Sequence, residues 1–240
     1  MLAVSPSSSS SAPTRNLLLA ALSKDDRDRL QPHLEPMDLE LRKALEQPNK
    51  RIDNVYFLDV GIASVVAVQA KETKVEIGLI GREGMTGLAI VLGNHRSPHS
   101  TYIQAAGRGQ RIGAAELRKA LAASATLQGF LLKFAQAFMV QTAHTAIANA
   151  RARLDQRLAR WLLMAHDRLD GNTLPLTHEF LALMLGVRRA GVTEALHALE
   201  SRRLIESARG QVVVRDRKGI ERSAGESYGV PEAEYRRLLG

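Results

Sequence analysis

The chain has no cysteine among its 240 residues, and this absence excludes several kinds of site. It can form no disulfide, thiolate zinc site, cysteine-ligated iron-sulfur cluster or cysteine nucleophile. No uninterrupted apolar run reaches the roughly 18 residues that a membrane-spanning helix needs. The Ser-rich stretch 5–13 lacks the basic start and apolar core of a secretion signal. We therefore expect a cytoplasmic location with no membrane partner.

Catalytic motifs are also missing. None of the 7 histidines belongs to the His-Glu-x-x-His motif of a helical zinc site, and there is no Walker phosphate loop. Gly-Arg-Gly at 107–109 is too short for such a loop and is predicted to close a β-turn. We therefore predict no metal, no cofactor and no enzymatic activity. The formal charge of +8 fits a phosphate-containing partner such as nucleic acid, although basic residues are spread along the whole chain.

The periodicity of the sequence predicts an α+β protein in four parts. A Ser-rich tail (1–15), predicted to be disordered, precedes a sensory domain with flanking helices (16–125). Asn16 and Ser23 are predicted N-caps of its first two helices. From 37 to 112, short glycine-bounded apolar runs predict an antiparallel β-roll of jelly-roll type. A long helix (126–152) and a helix-turn-helix domain (153–240) follow, and the polar segment 218–240 is assigned no site.

Apolar side chains recur along the long helix at alternating spacings of three and four, as in a coiled coil. This pattern predicts that the helix joins two copies of the chain into a homodimer. The alternative is that the same face packs inside one chain. The predicted dimer seam consists of Leu131, Phe134, Phe138, Gln141, Thr145 and Ala148.

The segment between Leu176 and Leu204 has the layout of a helix-turn-helix. Thr177 is placed to cap a first helix whose buried face is Phe180, Leu181, Met184 and Leu185, and Gly186 permits a sharp turn. A second helix is predicted from 188 to 202. Its apolar residues Val192, Leu196 and Leu199 share one face.

The opposite face of this second helix is predicted to contact base edges in the major groove of double-stranded DNA through Arg188, Arg189, Thr193 and Glu194. Arg189 is the first choice, because arginine matches the two acceptors of guanine. After the helix, 205–207 and 211–214 predict a hairpin that forms a wing. Arg209 at its tip is expected to contact phosphate.

In the order of its parts, the sequence resembles the Crp/Fnr superfamily of bacterial transcription regulators. The resemblance is strongest from Gln156-Arg-Leu-Ala-Arg-Trp-Leu-Leu163 through Gly186-Val-Arg-Arg189 to Arg209-Gly210, and looser in the β-roll. It implies a DNA-binding homodimer on a palindromic operator, with RNA polymerase as a further partner to be considered. It also implies phosphate contacts from Thr177, His178 and Arg209. Ala190 and Glu194 depart from the family's base-contacting pattern, which implies a different operator.

Cyclic-nucleotide-binding members of this family carry a Gly-Glu pair for the ribose and a later Arg-Ser or Arg-Thr for the phosphate. Here Gly87-Leu88 and His99-Ser100 stand at these places, and a loop shift would be needed to bring in Arg96. Leu88 accepts no hydrogen bond and we expect nothing to replace the missing carboxylate, so we expect no control by cyclic AMP and leave the effector unknown.

Three alternatives remain open. One is a sensory or scaffold dimer whose winged helix contacts a protein rather than DNA. Another is a regulator that still binds a cyclic nucleotide. A third, less favoured, is haem ligation by His95, His99 or His144.

Overall fold

A computed structural model describes residues 14–68 and 74–240. The N-terminal domain opens with two short helices, a 3-10 turn at Gln31–His33, and five strands interrupted by one short helix. Their bounds are α1 Leu17–Ala21, α2 Lys24–Leu30, β1 Glu35–Leu39, β2 Ala44–Glu46, β3 Asn54–Val68, β4 Lys74–Ile80, α3 Leu88–Val91 and β5 Ser100–Gly113. The strands form one antiparallel sheet in the order β1-β5-β3-β4, with β2 also paired to β5. The predicted antiparallel β domain is thus confirmed.

Glycines allow the two long strands β3 and β5 to approach closely where their register shifts. Gly61 has φ +100°, and a Cβ there would lie 2.6 Å from the carbonyl oxygen of Ala105. A Cβ on Gly107 or Gly109 would collide with the backbone of β3. The prediction that 107–109 closes a turn is therefore wrong, because this segment runs through the middle of β5.

The ordered N-terminal domain begins earlier than predicted. Thr14 and Arg15, assigned to the tail, both donate hydrogen bonds to Asp59, and Arg15 pairs with Asp170. Residues 1–13 of the predicted tail lie outside the described residues. Asn16 and Ser23 cap α1 and α2 as predicted.

The C-terminal half is helical, with a small sheet. Its elements are α4 Ala114–Ala123, α5 Ala125–Arg151, α6 Leu154–His166, β6 Thr173–Leu174, α7 His178–Leu185, α8 Arg189–Glu200, β7 Ile205–Ala208, β8 Gln211–Val214, α9 Arg217–Ala224 and α10 Val230–Leu239. From the sequence, the segment 218–240, which holds most of the last two helices, is assigned no site. In the fold, α10 packs along α5, and the Tyr235 hydroxyl donates to the carbonyl of Glu83 (2.8 Å). No helix in the described part of the chain is long and apolar enough to cross a membrane.

The predicted dimer seam on α5 is corrected by the fold, because that face packs inside the chain, on the β domain and on α6. The Gln141 side chain accepts from the N–H of Leu79 (2.7 Å) and donates to its carbonyl. Thr145 accepts from Arg160 (3.1 Å). An alternating spacing of three and four marks a buried helix face but does not say which surface buries it. The other seam residues are buried in the same way: Leu131, Phe134, Phe138 and Ala148.

The opposite side of α5 carries apolar side chains that remain exposed. Met139 is 63% exposed, Ile147 54% and Leu132 39%. Exposed residues on this side again recur at spacings of four and three. We call the following set the outer face of α5: Leu132, Gln136, Met139, Ala143, Ala146 and Ala150.

The N-terminal β domain and the C-terminal domain share buried contacts. One core cluster joins Ile62, Leu79 and Ala105 of the sheet to apolar side chains of α6, α7 and α8. Within it, Glu76 of β4 accepts a hydrogen bond from the indole N–H of Trp161 in α6 (2.6 Å). Its other carboxylate oxygen accepts from the Ser64 hydroxyl (2.7 Å).

Burial raises the pKa of Glu76 to about 7, although hydrogen bonds from Ser64 and Trp161 and the charges of Arg160 and Arg168 act in the other direction. In the unfolded chain a glutamate has a pKa of about 4.3. Between these values the folded chain retains a proton that the unfolded chain has lost. The contribution of Glu76 to stability is therefore largest at low pH and falls as the pH rises to about 7.

Glu76→Gln removes this titration while keeping an oxygen for the Trp161 indole. We expect the variant to unfold several degrees above the wild type at about pH 7.5, and the difference to shrink or reverse at about pH 5. Thermal unfolding at both pH values measures this, with the exposed Glu40→Gln as the matched control. A Glu76→Gln difference that does not depend on pH would contradict the assignment.

Candidate nucleic-acid interface

The first helix of the predicted helix-turn-helix is α7. Thr177 caps it by accepting a hydrogen bond from the N–H of Phe180 (3.2 Å). Leu181, Met184 and Leu185 are buried, and Phe180 meets Trp161 edge to face with ring centroids 5.9 Å apart. These contacts fix α7 on α6.

The turn between the two helices depends on Gly186. This residue ends α7 in the left-handed region, with φ +63° and ψ 38°, which glycine adopts without steric cost. Its N–H donates to the carbonyl of Leu183, and the N–H of Val187 donates to that of Ala182. The chain therefore leaves α7 in a fixed direction and begins α8 three residues later.

The second helix, α8, ends two residues before the predicted boundary. It buries the predicted residues Val192, Leu196 and Leu199 together with Ala195. Arg188 occupies its N-cap position, and Arg189 begins its first turn. Both side chains are exposed, and within residues 14–68 and 74–240 neither forms a hydrogen bond or ion pair. Their guanidinium groups are thus available to a ligand.

The remaining candidate base contacts differ from one another. Glu194 is exposed. The Thr193 hydroxyl donates to the carbonyl of Arg189 (3.2 Å) and also contacts the Nδ1 atom of His178 (3.2 Å). His178 is therefore tied to α8 from the start of α7, which places a predicted phosphate contact beside the predicted base contacts.

The wing is a two-residue hairpin between β7 and β8. Ala208 pairs with Gln211, so Arg209 and Gly210 form the tip, with Gly210 at φ +79°. The Ser207 N–H donates to Glu200 at the end of α8 (2.8 Å), which anchors the wing to α8. A third strand, β6, pairs with β8 and was missed by the sequence analysis. The Arg209 side chain is exposed.

Only some of the residues predicted to form an effector pocket in the N-terminal domain lie together. Gly87, Leu88 and His99 line one cavity between the sheet and α5, whereas Arg96 and Ser100 are not among its lining residues. Arg96 is exposed, and its backbone pairs with that of Arg51 in an isolated antiparallel β-bridge. Of the histidines considered for haem, His99 lines the cavity and His95 and His144 do not.

The sequence analysis missed Glu46, which lines the same cavity. Its carboxylate accepts a hydrogen bond from the N–H of Gly87 (2.8 Å). The structure therefore has a carboxylate beside Gly87 that was not predicted from the sequence. No sequence signal pointed to Glu46, because it lies 41 residues before Gly87 on a short edge strand.

Residues 156–223 match the model of the Crp-like helix-turn-helix domain. The chain carries a Crp-like helix-turn-helix domain. The match extends from the start of α6 to α9, so it includes Trp161, both helices of the motif and the wing. The resemblance to the Crp/Fnr superfamily is thus confirmed for the domain that carries the candidate DNA contacts.

Solved structures extend the likeness to the whole fold. A putative Crp/Fnr-family transcriptional regulator from Eubacterium rectale is 16% identical, with a TM-score of 0.68 over 86% of this chain and 97% of that chain. FixK2 from Bradyrhizobium japonicum is 14% identical, with a TM-score of 0.70 over 80% and 98%. A Crp/Fnr-family regulator from Thermus thermophilus is 22% identical, with a TM-score of 0.57 over 79% and 98%. No curated protein matches the chain in sequence.

The left-handed turn of the Crp-like domain leads to a stability prediction. Gly186→Ala places a Cβ at a positive φ, so we expect it to destabilise the protein by about 1 kcal/mol. Gly129→Ala, in α5 with nothing within 4 Å of the added Cβ, should instead stabilise by up to about 1 kcal/mol. Urea unfolding midpoints compare the two variants. If Gly186→Ala were as stable as the wild type, the turn geometry would be misassigned.

Proposed function

We propose that the protein is a transcriptional regulator that binds a palindromic DNA operator as a homodimer, without control by cyclic AMP. The observation that carries the proposal is the N-terminal end of α8. Two exposed arginines, Arg188 and Arg189, stand there without partners in the described residues, on the helix that follows the turn of a Crp-like domain. A recognition helix contacts base edges with its first turns, and arginine pairs with guanine through two parallel hydrogen bonds.

The neighbouring groups fit the backbone contacts that such docking needs. Thr177 and His178 stand at the start of α7, where unpaired backbone N–H groups and the helix dipole favour a phosphate. Arg209 stands at the tip of the wing, which Glu200 fixes relative to α8. In this proposal Arg188 and Arg189 contribute sequence recognition, with Thr193 and Glu194 beside them, whereas Thr177, His178 and Arg209 position the domain.

Replacing both Arg188 and Arg189 with alanine tests the base contacts. The test uses a promoter fragment that the wild type binds. Loss of two charge-assisted contacts should lower the affinity for this fragment by roughly 10- to 100-fold or more. Mobility shift at moderate salt measures this. A matched control is Lys50→Ala with Arg108→Ala, which removes the same charge from exposed positions of the β domain and should change binding little.

The wing offers a second comparison within the same experiment. Arg209→Ala should weaken binding to all sequences alike and reduce the slope of log affinity against log salt by about one. If the Arg188→Ala, Arg189→Ala variant retained DNA as the wild type does, the DNA-binding proposal would fail. The alternative of a scaffold dimer with a protein partner would then stand.

The homodimer proposal rests on the outer face of α5 instead of the seam predicted from sequence. Its residues follow the four-three spacing over five intervals, and its apolar side chains are exposed in the single chain. Leu92, which follows α3 and is 59% exposed, lines the same shallow groove as Leu132 and Met139. A second copy of α5 would cover this strip and position two recognition helices for half-sites about 34 Å apart.

Met139→Glu tests the new interface. A charge on the most exposed apolar residue of the outer face should shift the protein from dimer to monomer at micromolar concentration, because burying an unpaired carboxylate is costly. Sedimentation equilibrium measures the mass. Leu41→Glu is the matched control, since Leu41 is 58% exposed outside α5. A wild-type monomer, or a dimer that both variants preserve, would contradict this interface.

Independence from cyclic AMP is supported by the cavity between the sheet and α5. Among residues 14–68 and 74–240, the side chains that line it include no lysine or arginine. Burial lowers the pKa of His99, which keeps this imidazole uncharged at neutral pH. A cyclic phosphate would therefore find no cation in the cavity.

A further inference from the structure

The cavity between the β-roll and α5 has the size and lining of a small-molecule site. Its volume is about 440 Å³, within the range of ligand pockets. Most of the wall is apolar, and its apolar side chains come mainly from β3, β4 and α3 of the β domain and from α5. The apolar lining residues include Val65, Ile77, Ile80, Leu88, Phe138 and Met139.

One charged group interrupts this apolar wall. Glu46 is only 9% exposed, and burial raises the pKa of its carboxyl group, although hydrogen bonds from Gly87 and Thr101 act in the other direction. Two donors leave acceptor capacity unused, because a carboxylate offers about four lone-pair positions. A buried carboxylate with unused capacity gains from a further donor in the cavity.

The other polar groups in the cavity are uncharged. Ser97, Thr101 and Thr142 contribute hydroxyls, and His99 is neutral at pH 7 because burial lowers the pKa of its ring. An anionic ligand would meet Glu46 without a compensating cation from the described lining residues. This lining therefore disfavours phosphates and carboxylates and favours an apolar molecule with one donor.

We infer that this cavity binds an uncharged, mainly apolar small molecule whose hydroxyl or N–H group donates a hydrogen bond to Glu46. That this cavity is the effector site of a regulator rests on the proposed function. That it binds a small molecule does not, because ligand binding is tested with the protein alone. Failure of DNA binding and failure of ligand binding are therefore separate results.

The test compares molecules of nearly the same shape with and without a donor. Indole and 1-methylindole form one pair, and 2-naphthol and 2-methoxynaphthalene form another. Titration calorimetry on the full chain should show the donor-bearing member of at least one pair binding about tenfold more tightly, since hydrogen bonds to buried charged groups have effects of this order. Cyclic AMP should not bind at comparable concentrations.

Glu46→Gln identifies the acceptor. The amide oxygen can keep the hydrogen bond from Gly87, but the NH₂ group then replaces the acceptor that faces the ligand, so the preference for the donor-bearing molecule should disappear. Glu40→Gln removes the same charge from an exposed position and should keep the wild-type preference. Thermal unfolding of each variant confirms that it is folded.

Three results would overturn the inference. The first is that no donor-bearing molecule binds more tightly than its donor-free partner. The second is a preference that survives in folded Glu46→Gln, which would place the acceptor on another residue. The third is cyclic AMP binding more tightly than any of the four probes, which would return the cavity to the cyclic-nucleotide alternative.

Discussion

A hydrogen bond buried between two domains links the position of the helix-turn-helix to that of the N-terminal sheet. Glu76 lies on β4 of the N-terminal sheet, and Trp161 lies on α6 of the Crp-like domain. Their contact at 2.6 Å joins two buried side chains, and Trp161 belongs to a core cluster that both domains share. Because Trp161 also packs against Phe180 of α7, the position of the helix-turn-helix is linked to that of the sheet through one aromatic side chain.

Around this contact, the long helix α5 joins the other parts of the molecule. One of its faces is bonded to Leu79 of β4 through Gln141, and α10 packs along it from the C-terminal end of the chain. Its outer face remains exposed. The same helix therefore closes the small-molecule cavity, holds the C-terminal helix and presents the strip proposed for the second copy. A ligand in the cavity would touch Met139, which also belongs to that strip. Ligand binding and dimerisation would therefore both involve the Met139 side chain.

The parts of the fold that sequence predicts well are those set by neighbouring residues. A cap at Thr177, a left-handed turn at Gly186 and a two-residue hairpin at 209–210 follow from local backbone chemistry. The dimer seam was misplaced because the periodicity of a helix shows that a face is buried, not which surface buries it. Gly107 and Gly109 were assigned to a turn because close approach of two distant strands leaves no local pattern. Glu46 and Glu76 gave no signal either, since each acquires its role from residues far away in the sequence.

The central claim is that the Crp-like domain recognises a specific, two-fold symmetric DNA sequence. Selection of bound duplexes from a random pool, followed by protection mapping on the enriched sequence, tests it most directly. The account predicts enrichment of an inverted repeat with two protected half-sites about 10 base pairs apart from centre to centre. Recovery of a pool without any enriched motif, or of a motif protected over a single half-site, would contradict it.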